Sequence, residues 1–384
     1  MNTRLQSFLF LCQCLALDKA TKTIEKLRCQ IKRDSIDWES VVQIANEQLV
    51  SPALWISLIN KGLHDDLPDE LKYYLSGLHN LNLQRNGLIK QQAEEIITSL
   101  NMVGIEPILL KGAALLFTNA FSDAGTRIMA DLDIMVLTTD VAESLKILSS
   151  LGYRTLEPDA PVDPWSHHLP PMTRAGEPAA IELHTQLFNR HDGKLVLTAA
   201  DCFDDAATIN TKSISFKILS LPHFIIHNII HSEVHHRNFY SGIISLRRLL
   251  DFAVITDSQA HVIDWKSIED KMKKHGIGHI YKSYLYMGVT LLNASVPCAF
   301  SPTIGSKFHL KWCLLIYESS CLHTLFWWWT DGARLWQLVI QELNAERLKI
   351  RFGCSGGLVD LNKTRLKYLW FLFRKYVLNT RQFS

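Results

Sequence analysis

The segment Asp131–Val136 alternates carboxylates with aliphatic residues, which is the pattern of a half-buried strand. Side chains two positions apart on a strand project from the same face, so Asp131 and Asp133 share one face while Leu132 and Ile134 face the core. Two neighbouring carboxylates repel each other, and one is driven toward protonation unless a cation lies between them. The pattern therefore predicts either a cation site or a plain polar strand face.

The elements around this strand favour the cation site. Upstream, the apolar run 108–110 has strand character and is followed by Lys111, Gly112 and a helical pattern. Downstream, Ala179–His184 is a second strand candidate that carries Glu182 on the face of His184. If the two strands are neighbours, three carboxylates converge. Such hard oxygen ligands suit Mg²⁺, and two ions about 4 Å apart would clamp the oxygens of a phosphoryl-type displacement.

Helical patterns flank this unit on both sides. Before Gly104 and Pro107, apolar residues recur at helical spacing in several segments; after Ser220, helices are predicted at 225–230, 246–255 and 280–292. The chain is therefore predicted to be α+β, with a small mixed-sheet core between helical segments. We assign an N-terminal helical region to 1–102, the α/β core to 103–218, and a C-terminal helical region with a basic tail to 219–384.

Several short motifs follow one another in a recognisable order. They are Leu110-Lys111-Gly112-Ala113, then Arg127, then Asp131-Leu132-Asp133-Ile134, then Ile181-Glu182-Leu183-His184, with Asn86 upstream and His231, His236 and Asp251 downstream. This combination resembles the nucleotidyltransferase superfamily of DNA polymerase beta. It resembles more closely the bacterial group of uncharacterised nucleotidyltransferases with LKG, DxD and ELH motifs.

The resemblance implies an activity and a set of site residues. Asp131, Asp133 and Glu182 would be catalytic and would hold a pair of Mg²⁺ ions, with Glu182 orienting or deprotonating the acceptor. The nucleotide-binding residues would be Lys111, Gly112 and Arg127. The substrate would be ATP or another NTP, and its nucleoside monophosphate would move to a hydroxyl of a small molecule or protein as pyrophosphate leaves. Ala113 stands where the wider superfamily has a serine, and Thr185 stands where the group often has a tryptophan.

Each of these residues also has a structural interpretation. Lys111 could be an ordinary loop lysine, Glu182 an exposed strand glutamate, and Arg127 the partner of Asp123 or Asp131 in a salt bridge. Asp251 could cap or brace a helix pair. The histidines at 223, 227, 231 and 235 recur every four residues on a predicted helix; they could bind Zn²⁺ or simply line the cleft.

Charge and composition leave the acceptor open. The net charge of +2 gives no general case for nucleic-acid binding, but residues 345–384 hold nine lysines and arginines against two acids. This tail could contact RNA or a membrane surface, or pack its aromatic residues inward. Two alternatives therefore remain: a toxin-like nucleotidyltransferase acting on tRNA, and a catalytically inactive nucleotide-binding or partner-binding protein.

The sequence predicts a soluble, cytoplasmic protein with no membrane span. The apolar segments Ser7–Leu17 and Trp312–Trp329 are each interrupted by polar residues, and the first lacks a signal-peptide cleavage site, so it is expected to be an amphipathic helix. The eight cysteines form no CxxC pair and are interpreted as reduced thiols.

Overall fold

The computed structural model describes residues 4–18, 20–33, 36–155, 166–189, 196–211 and 213–319. The basic tail 345–384, most of the aromatic segment Trp312–Trp329 and part of the proline-rich stretch 158–178 lie outside these residues. No helix of the described part is long and apolar enough to cross a membrane. The cysteines that fall within it are free thiols.

Five helices precede the first strand. They are α1 (Arg4–Leu15), α2 (Thr21–Lys32), α3 (Trp38–Glu47), α4 (Ser51–Asn60) and α5 (Asp69–Asn101). The predicted apolar stripe of α5 is buried against the sheet: Ile89, Ala93, Ile96, Ile97 and Leu100 are at most 1% exposed. The first helix is confirmed, but it is buried over more than the single stripe expected of an amphipathic helix.

A seven-stranded mixed sheet follows, with three short helices between its strands. The strands are β1 (Ile108–Leu109), β2 (Asp131–Met135), β3 (Arg154–Thr155), β4 (Met172–Thr173), β5 (Ala180–His184), β6 (Ala207–Asn210) and β7 (Ser215–Ile218). The helices are α6 (Lys111–Phe117), α7 (Val141–Ser150) and α8 (Ala199–Asp204). The strand order is β3-β4-β5-β2-β1-β7-β6. The short strand β4 lies within the stretch that the sequence indicated to be a loop.

The register of β2 and β5 determines which side chains meet. The two strands are parallel neighbours, and Asp133 is paired with Glu182. Leu132 and Ile134 of β2 and Ile181 of β5 lie on the opposite face, in the apolar cluster shared with α5. Burying aliphatic side chains of this kind stabilises the fold by about 1.5–3 kcal/mol each. The acidic side chains are thereby held on the other face, as the alternation predicts.

The described residues after the sheet, up to 319, are mainly helical, as predicted. Its helices are α9 (Leu221–Ile229), α10 (Asn238–Ser241), α11 (Leu246–Gln259), α12 (Trp265–Lys274), α13 (Gly278–Leu292) and α14 (Ile304–Glu318). A π-helical turn, Ile230–His235, follows α9 directly, so the histidine segment is not the regular α-helix that its period of four indicates. Residues of the N-terminal helices and of this half share one apolar cluster. The α+β fold class is confirmed.

The π-helical turn contains a buried carboxyl group. Glu233 is 2% exposed, accepts a hydrogen bond from the Ser232 hydroxyl at 2.8 Å, and has a second carboxyl oxygen without a hydrogen-bond partner. Burial raises the pKa of Glu233 from its ordinary value of 4.5 to about 8. The group is therefore neutral in the folded protein at neutral pH.

We expect Glu233→Gln to remove a pH-dependent loss of stability. Because the folded pKa of Glu233 is raised, the wild-type protein loses stability as pH rises from near 4.5 to about 8, at about 1.4 kcal/mol per pH unit. Both proteins are unfolded with urea at pH 5, 6 and 7. The free energy of unfolding of the variant, relative to that of the wild type, should rise by about 1.4 kcal/mol for each pH unit. The control is Glu39→Gln, which makes the same change at an exposed position. A constant difference across this range would contradict the prediction.

Candidate functional site

The carboxylates of β2 and β5 converge on one face of the sheet, around the side chain of Lys111. The Lys111 ammonium forms an ion pair with Asp133 and lies 3.9 Å from Glu182 Oε2. His184, on the same face of β5, has its Nε2 atom 2.8 Å from Asp133 Oδ1 and 3.6 Å from Glu182 Oε2. Asp131 and Glu182 line the adjoining cavity. The predicted site acids therefore face the same side as the predicted Lys-Gly turn.

The two aspartates of the DxD motif have opposite pKa shifts. Burial acts to raise the pKa of Asp133, but the Lys111 ammonium and the hydrogen bond with His184 outweigh it and hold that pKa well below its usual range. Burial and the nearby charge of Asp133 raise the pKa of Asp131. Asp133 is therefore ionised at neutral pH, and full ionisation of Asp131 is favoured by any added cation.

His184 is held in its charged form by the same carboxylates. Burial acts to lower its pKa, but hydrogen bonds with Asp133 and Glu182 outweigh this and raise it. The ring is fully buried, and its Nδ1 atom has no hydrogen-bond partner. The sequence placed this histidine on the face of Glu182, but its contact with Asp133 depends on the register between β5 and β2.

The donor atoms fit a divalent cation, although the set differs from the predicted one. Among the residues that the structure describes, Asp133, Glu182 and His184 form the one group of three or more side chains whose ligand atoms all lie within 4.8 Å of one another. Asp131, which was expected in this set, lies two positions before Asp133, at the cavity wall. Two carboxylates with one imidazole suit ions such as Mn²⁺ as well as the oxygen-preferring Mg²⁺.

Lys111 has an unusual backbone conformation. Its φ is +46°, in the left-handed region, at the junction between β1 and α6. This conformation costs a non-glycine residue about 1–3 kcal/mol, so the surrounding contacts must hold it in place. Its side chain is 7% exposed, within a group of carboxylates. Lys111 is therefore a buried ion-pair partner in this structure and not a free loop lysine.

Gly112 is required by close packing as well as by its expected approach to a nucleotide. A Cβ atom at this position would lie 2.2 Å from Arg127 Nη1 and 2.7 Å from the Met129 side chain. The Arg127 side chain cannot easily move away, because its other guanidinium nitrogens are bound to Asp251. No larger residue fits between these groups without displacing them.

We expect Gly112→Ala to destabilise the protein by about 1–3 kcal/mol, the usual cost of overpacking. The matched control is Gly87→Ala in α5, where nothing lies within 4 Å of the added Cβ. That change should stabilise the protein by about 0.5–1 kcal/mol, since alanine is favoured over glycine in a helix. Chemical denaturation of both variants measures the difference. Equal effects at the two positions would contradict the packing argument.

Arg127 forms a buried, bidentate salt bridge with Asp251 of α11. Its Nε and Nη2 atoms donate hydrogen bonds of 2.7 and 2.8 Å to the two carboxylate oxygens. Burial acts to lower the pKa of Arg127, but Asp251 outweighs it and raises that pKa. The alternative partners, Asp123 and Asp131, are both wrong: Asp123 pairs instead with His79 at 2.7 Å. Asp251 therefore braces α11 against the loop that precedes β2.

Two asparagines of α5 hold the same loop. The side-chain amide of Asn86 donates to the carbonyl oxygens of Ala124 and Arg127 at 2.6 and 2.9 Å. The amide of Asn82 donates to those of Gly125 and Arg127 at 2.7 and 3.1 Å. These four bonds position the backbone just before the DxD strand, which explains the asparagine that the motif comparison placed at 86.

A cavity of about 220 Å³ opens beside the acidic group. Its lining combines carboxylates, cations and imidazoles: Asp131, Glu182, Lys111, Arg127, Arg247, Arg248, His167, His168, His231, His235 and His236, together with Gly112 and Ala130. Every predicted site residue except Asp133, which lies directly behind Lys111, is in this lining. Arg247, Arg248, His167 and His168 were not identified from the sequence. For Arg247 and Arg248, a sequence feature was available: they are two adjacent arginines at the start of a predicted helix, shortly before Asp251.

The histidines at 223, 227, 231 and 235 do not form a metal site among the described residues. His231 and His235 line the cavity with ring centres 5.3 Å apart, whereas the His223 ring lies within 3.3 Å of the Lys271 ammonium, elsewhere. Burial lowers the pKa of His231 well below its ordinary value, and it lowers that of His167 to about 2. His231 and His167 are therefore neutral. His231 and His235 line the cleft, in line with the second of the two sequence interpretations, whereas His223 and His227 are not in the lining.

A mixed sheet with carboxylates on two parallel strands, beside a Lys-Gly turn and a cation-lined cavity, is the arrangement expected of a nucleotidyltransferase core. The family model described as "uncharacterised nucleotidyltransferase" matches residues 34–293, and the chain belongs to that family. It is therefore a transferase enzyme of the nucleotidyltransferase class. No curated protein and no solved structure matches this chain significantly.

Proposed function

We propose that this enzyme moves a nucleoside monophosphate from an NTP, most simply ATP, to a hydroxyl group of a small molecule or protein. The bond between the α-phosphorus and the bridging oxygen breaks, a bond from the acceptor oxygen to the α-phosphorus forms, and pyrophosphate leaves. The observation that carries the proposal is the convergence of Asp133, Glu182 and His184 around one point beside Lys111.

Divalent cations, Mg²⁺ in the first instance and two in number, complete the proposed site. Asp131, Asp133 and Glu182 would hold them, and the converging donors support His184 as a further ligand once its Nε2 atom has lost its proton. When bound, the cations supply charge neutralisation and polarisation at the transferred phosphoryl group. The Lys111 ammonium now contacts Asp133 and lies 3.9 Å from Glu182, so a cation held by these carboxylates would require Lys111 to pair elsewhere.

The remaining roles follow from exposure and charge. Glu182 is the exposed member of the donor group, with a side chain 20% accessible, so it is placed to accept the proton of an acceptor hydroxyl. Lys111, once released, can pair with phosphate oxygens, because it lines the same cavity as Gly112 and Arg127. Burial lowers the pKa values of His167, His231 and His236, so these three imidazoles are neutral and add little repulsion toward a cation.

A tRNA acceptor is the second candidate. Nine basic residues against two acidic ones in 345–384 favour a polyanionic partner. The discriminating measurement is the affinity for tRNA as a function of salt concentration. If the protein neutralises several phosphates, this affinity falls steeply as the salt concentration rises. Binding that does not change with salt would remove this candidate.

Labelled ATP tests the reaction class directly. The protein is incubated with Mg²⁺ or Mn²⁺, cell extract, and ATP labelled in either the α- or the γ-phosphate. We expect the α-label to become bound to an acceptor and the γ-label to appear in pyrophosphate. Transfer of the γ-label instead would indicate a kinase. A thermal shift with ATP and no pyrophosphate release would indicate a nucleotide-binding protein without catalysis.

A further inference from the structure

Three guanidinium groups share one wall of the cavity. Arg127, Arg247 and Arg248 all line it, and Arg248 is more than nine-tenths buried. Among the described residues, Asp251 is the carboxylate in ion-pair contact with this group. Both of its oxygens bind Arg127, while Arg248 Nη1 lies 4.0 Å from its Oδ2 atom. Arg247 makes a long contact of 3.5 Å with the carbonyl oxygen of Ile128. One carboxylate thus forms the ion pairs of both Arg127 and Arg248.

This arrangement is unfavourable for the protein alone. Burial, and after it the positive charges of Arg127 and Arg248, lower the pKa of Arg247 to about 10, against the opposing charges of Asp251 and Asp131. Both arginines also lie in the first turn of α11, which contains no acidic residue. The positive end of the helix dipole disfavours cations at that position. Helix stability therefore does not account for Arg247 and Arg248 at this position, and the one ion pair recorded for Arg248 is a long one of 4.0 Å.

We infer that Arg247 and Arg248 form a polyphosphate-binding site that holds the β- and γ-phosphates of the NTP, the part that leaves as pyrophosphate. The planar fork of each guanidinium matches phosphate oxygens. The inference rests on the proposed function, because the anion held here is the leaving group of that reaction. Arg127 acts as a positioning residue, since Asp251 occupies two of its nitrogens and holds it against α11.

The two walls of the cavity fit a ligand with both metal-bound and free phosphates. Asp131 and Glu182 lie on the sheet side, and Arg247 and Arg248 on the helix side, of one cavity of about 220 Å³. The charges of Asp131 and Arg248 act on each other across it. A triphosphate can therefore place its α-phosphate near the carboxylates and its terminal phosphates against the arginines.

Isothermal titration with inorganic pyrophosphate and inorganic triphosphate, with and without Mg²⁺, tests this site. We expect Arg247→Gln and Arg248→Gln each to weaken binding about 10- to 100-fold, the usual result of losing a charge-assisted contact. Arg247→Lys should recover only part of the affinity, since it keeps the charge but not the fork. The control is Arg154→Gln on β3, an exposed arginine outside the cavity lining, which should bind like the wild type.

The outcomes separate this inference from the proposed function. Thermal unfolding without ligand identifies any variant that fails to fold. If Arg248→Gln fails to fold, the pyrophosphate affinity of Arg247→Gln, at a half-buried position, tests the inference. Variants that bind pyrophosphate as tightly as the wild type overturn the inference, even if nucleotidyl transfer is observed. Arginine-dependent pyrophosphate binding without any nucleotidyl transfer upholds the site and contradicts the proposed reaction.

Discussion

Replacing Asp131 and Asp133 together with asparagine is expected to lower kcat/KM for nucleotidyl transfer by at least about 1,000-fold, or roughly 4 kcal/mol of transition-state stabilisation. Both carboxylates lie beside the cavity, and Asp133 belongs to the converging donor group. Asparagine keeps the volume and an oxygen that can accept a hydrogen bond from Lys111 or His184, but it leaves the buried Lys111 ammonium without the charge of Asp133 and therefore costs stability. Activity is therefore compared at a temperature where circular dichroism shows both proteins folded. What is lost from the proposed site is the negative charge that would hold cations beside the triphosphate.

The controls distinguish loss of chemistry from loss of structure. Asp257→Asn changes an exposed carboxylate of α11 and should leave transfer unaffected. The wild-type protein should show a higher melting temperature with Mn²⁺ or Mg²⁺, and the double variant should not. A double variant that still labels an acceptor from α-labelled ATP would refute the assignment of these aspartates.

Replacing Asp251 with alanine should destabilise the fold by about 3–5 kcal/mol, the usual cost of leaving a buried charge without its partner. Asp251 is 1% exposed and holds Arg127, which is 9% exposed, through two hydrogen bonds. Without this carboxylate, Arg127 and the neighbouring Arg247 and Arg248 would repel each other with no compensating charge. Urea denaturation at neutral pH provides the measurement.

Two comparisons test the physical reason for this loss. Glu143→Ala removes one side of the exposed pair with Lys146 and should cost at most about 1 kcal/mol. The double variant Arg127→Met, Asp251→Leu removes both buried charges and should be more stable than Asp251→Ala alone. If Asp251→Ala unfolds at the same urea concentration as the wild type, Asp251 does not brace the loop before β2.

The local pattern of the sequence was sufficient to predict the fold class and the face on which the acids lie. Alternation with a period of two placed Leu132 and Ile134 in the core, and it follows that Asp131 and Asp133 project from the other side. The periodic stripe of α5 is buried as expected. These predictions succeeded because each depends on residues within one element, where geometry follows directly from spacing.

The contacts that cross the fold could not be predicted in this way. Arg127 and Asp251 are 124 positions apart, and no local pattern links them. The spacing of the histidines is that of a regular α-helix. In the π-helical turn, however, their side chains are arranged differently around the helix axis than that spacing predicts. His184 contacts Asp133 only because β5 pairs with β2 in a particular register. The domain division at 102 and 218 stays a prediction.

The position of the Lys111 ammonium has a consequence for the order in which ligands bind. It lies in ion-pair contact with Asp133 and 3.9 Å from Glu182, so the site already contains a built-in counter-ion. In the proposed reaction, a divalent ion that bound alone would have to displace this charge from the carboxylates, within a cavity that three arginines also line. An ion that bound together with a nucleotide would also bring phosphate oxygens for the displaced lysine. Metal and nucleotide would then each raise the other's affinity, and such coupling is reciprocal by thermodynamic necessity.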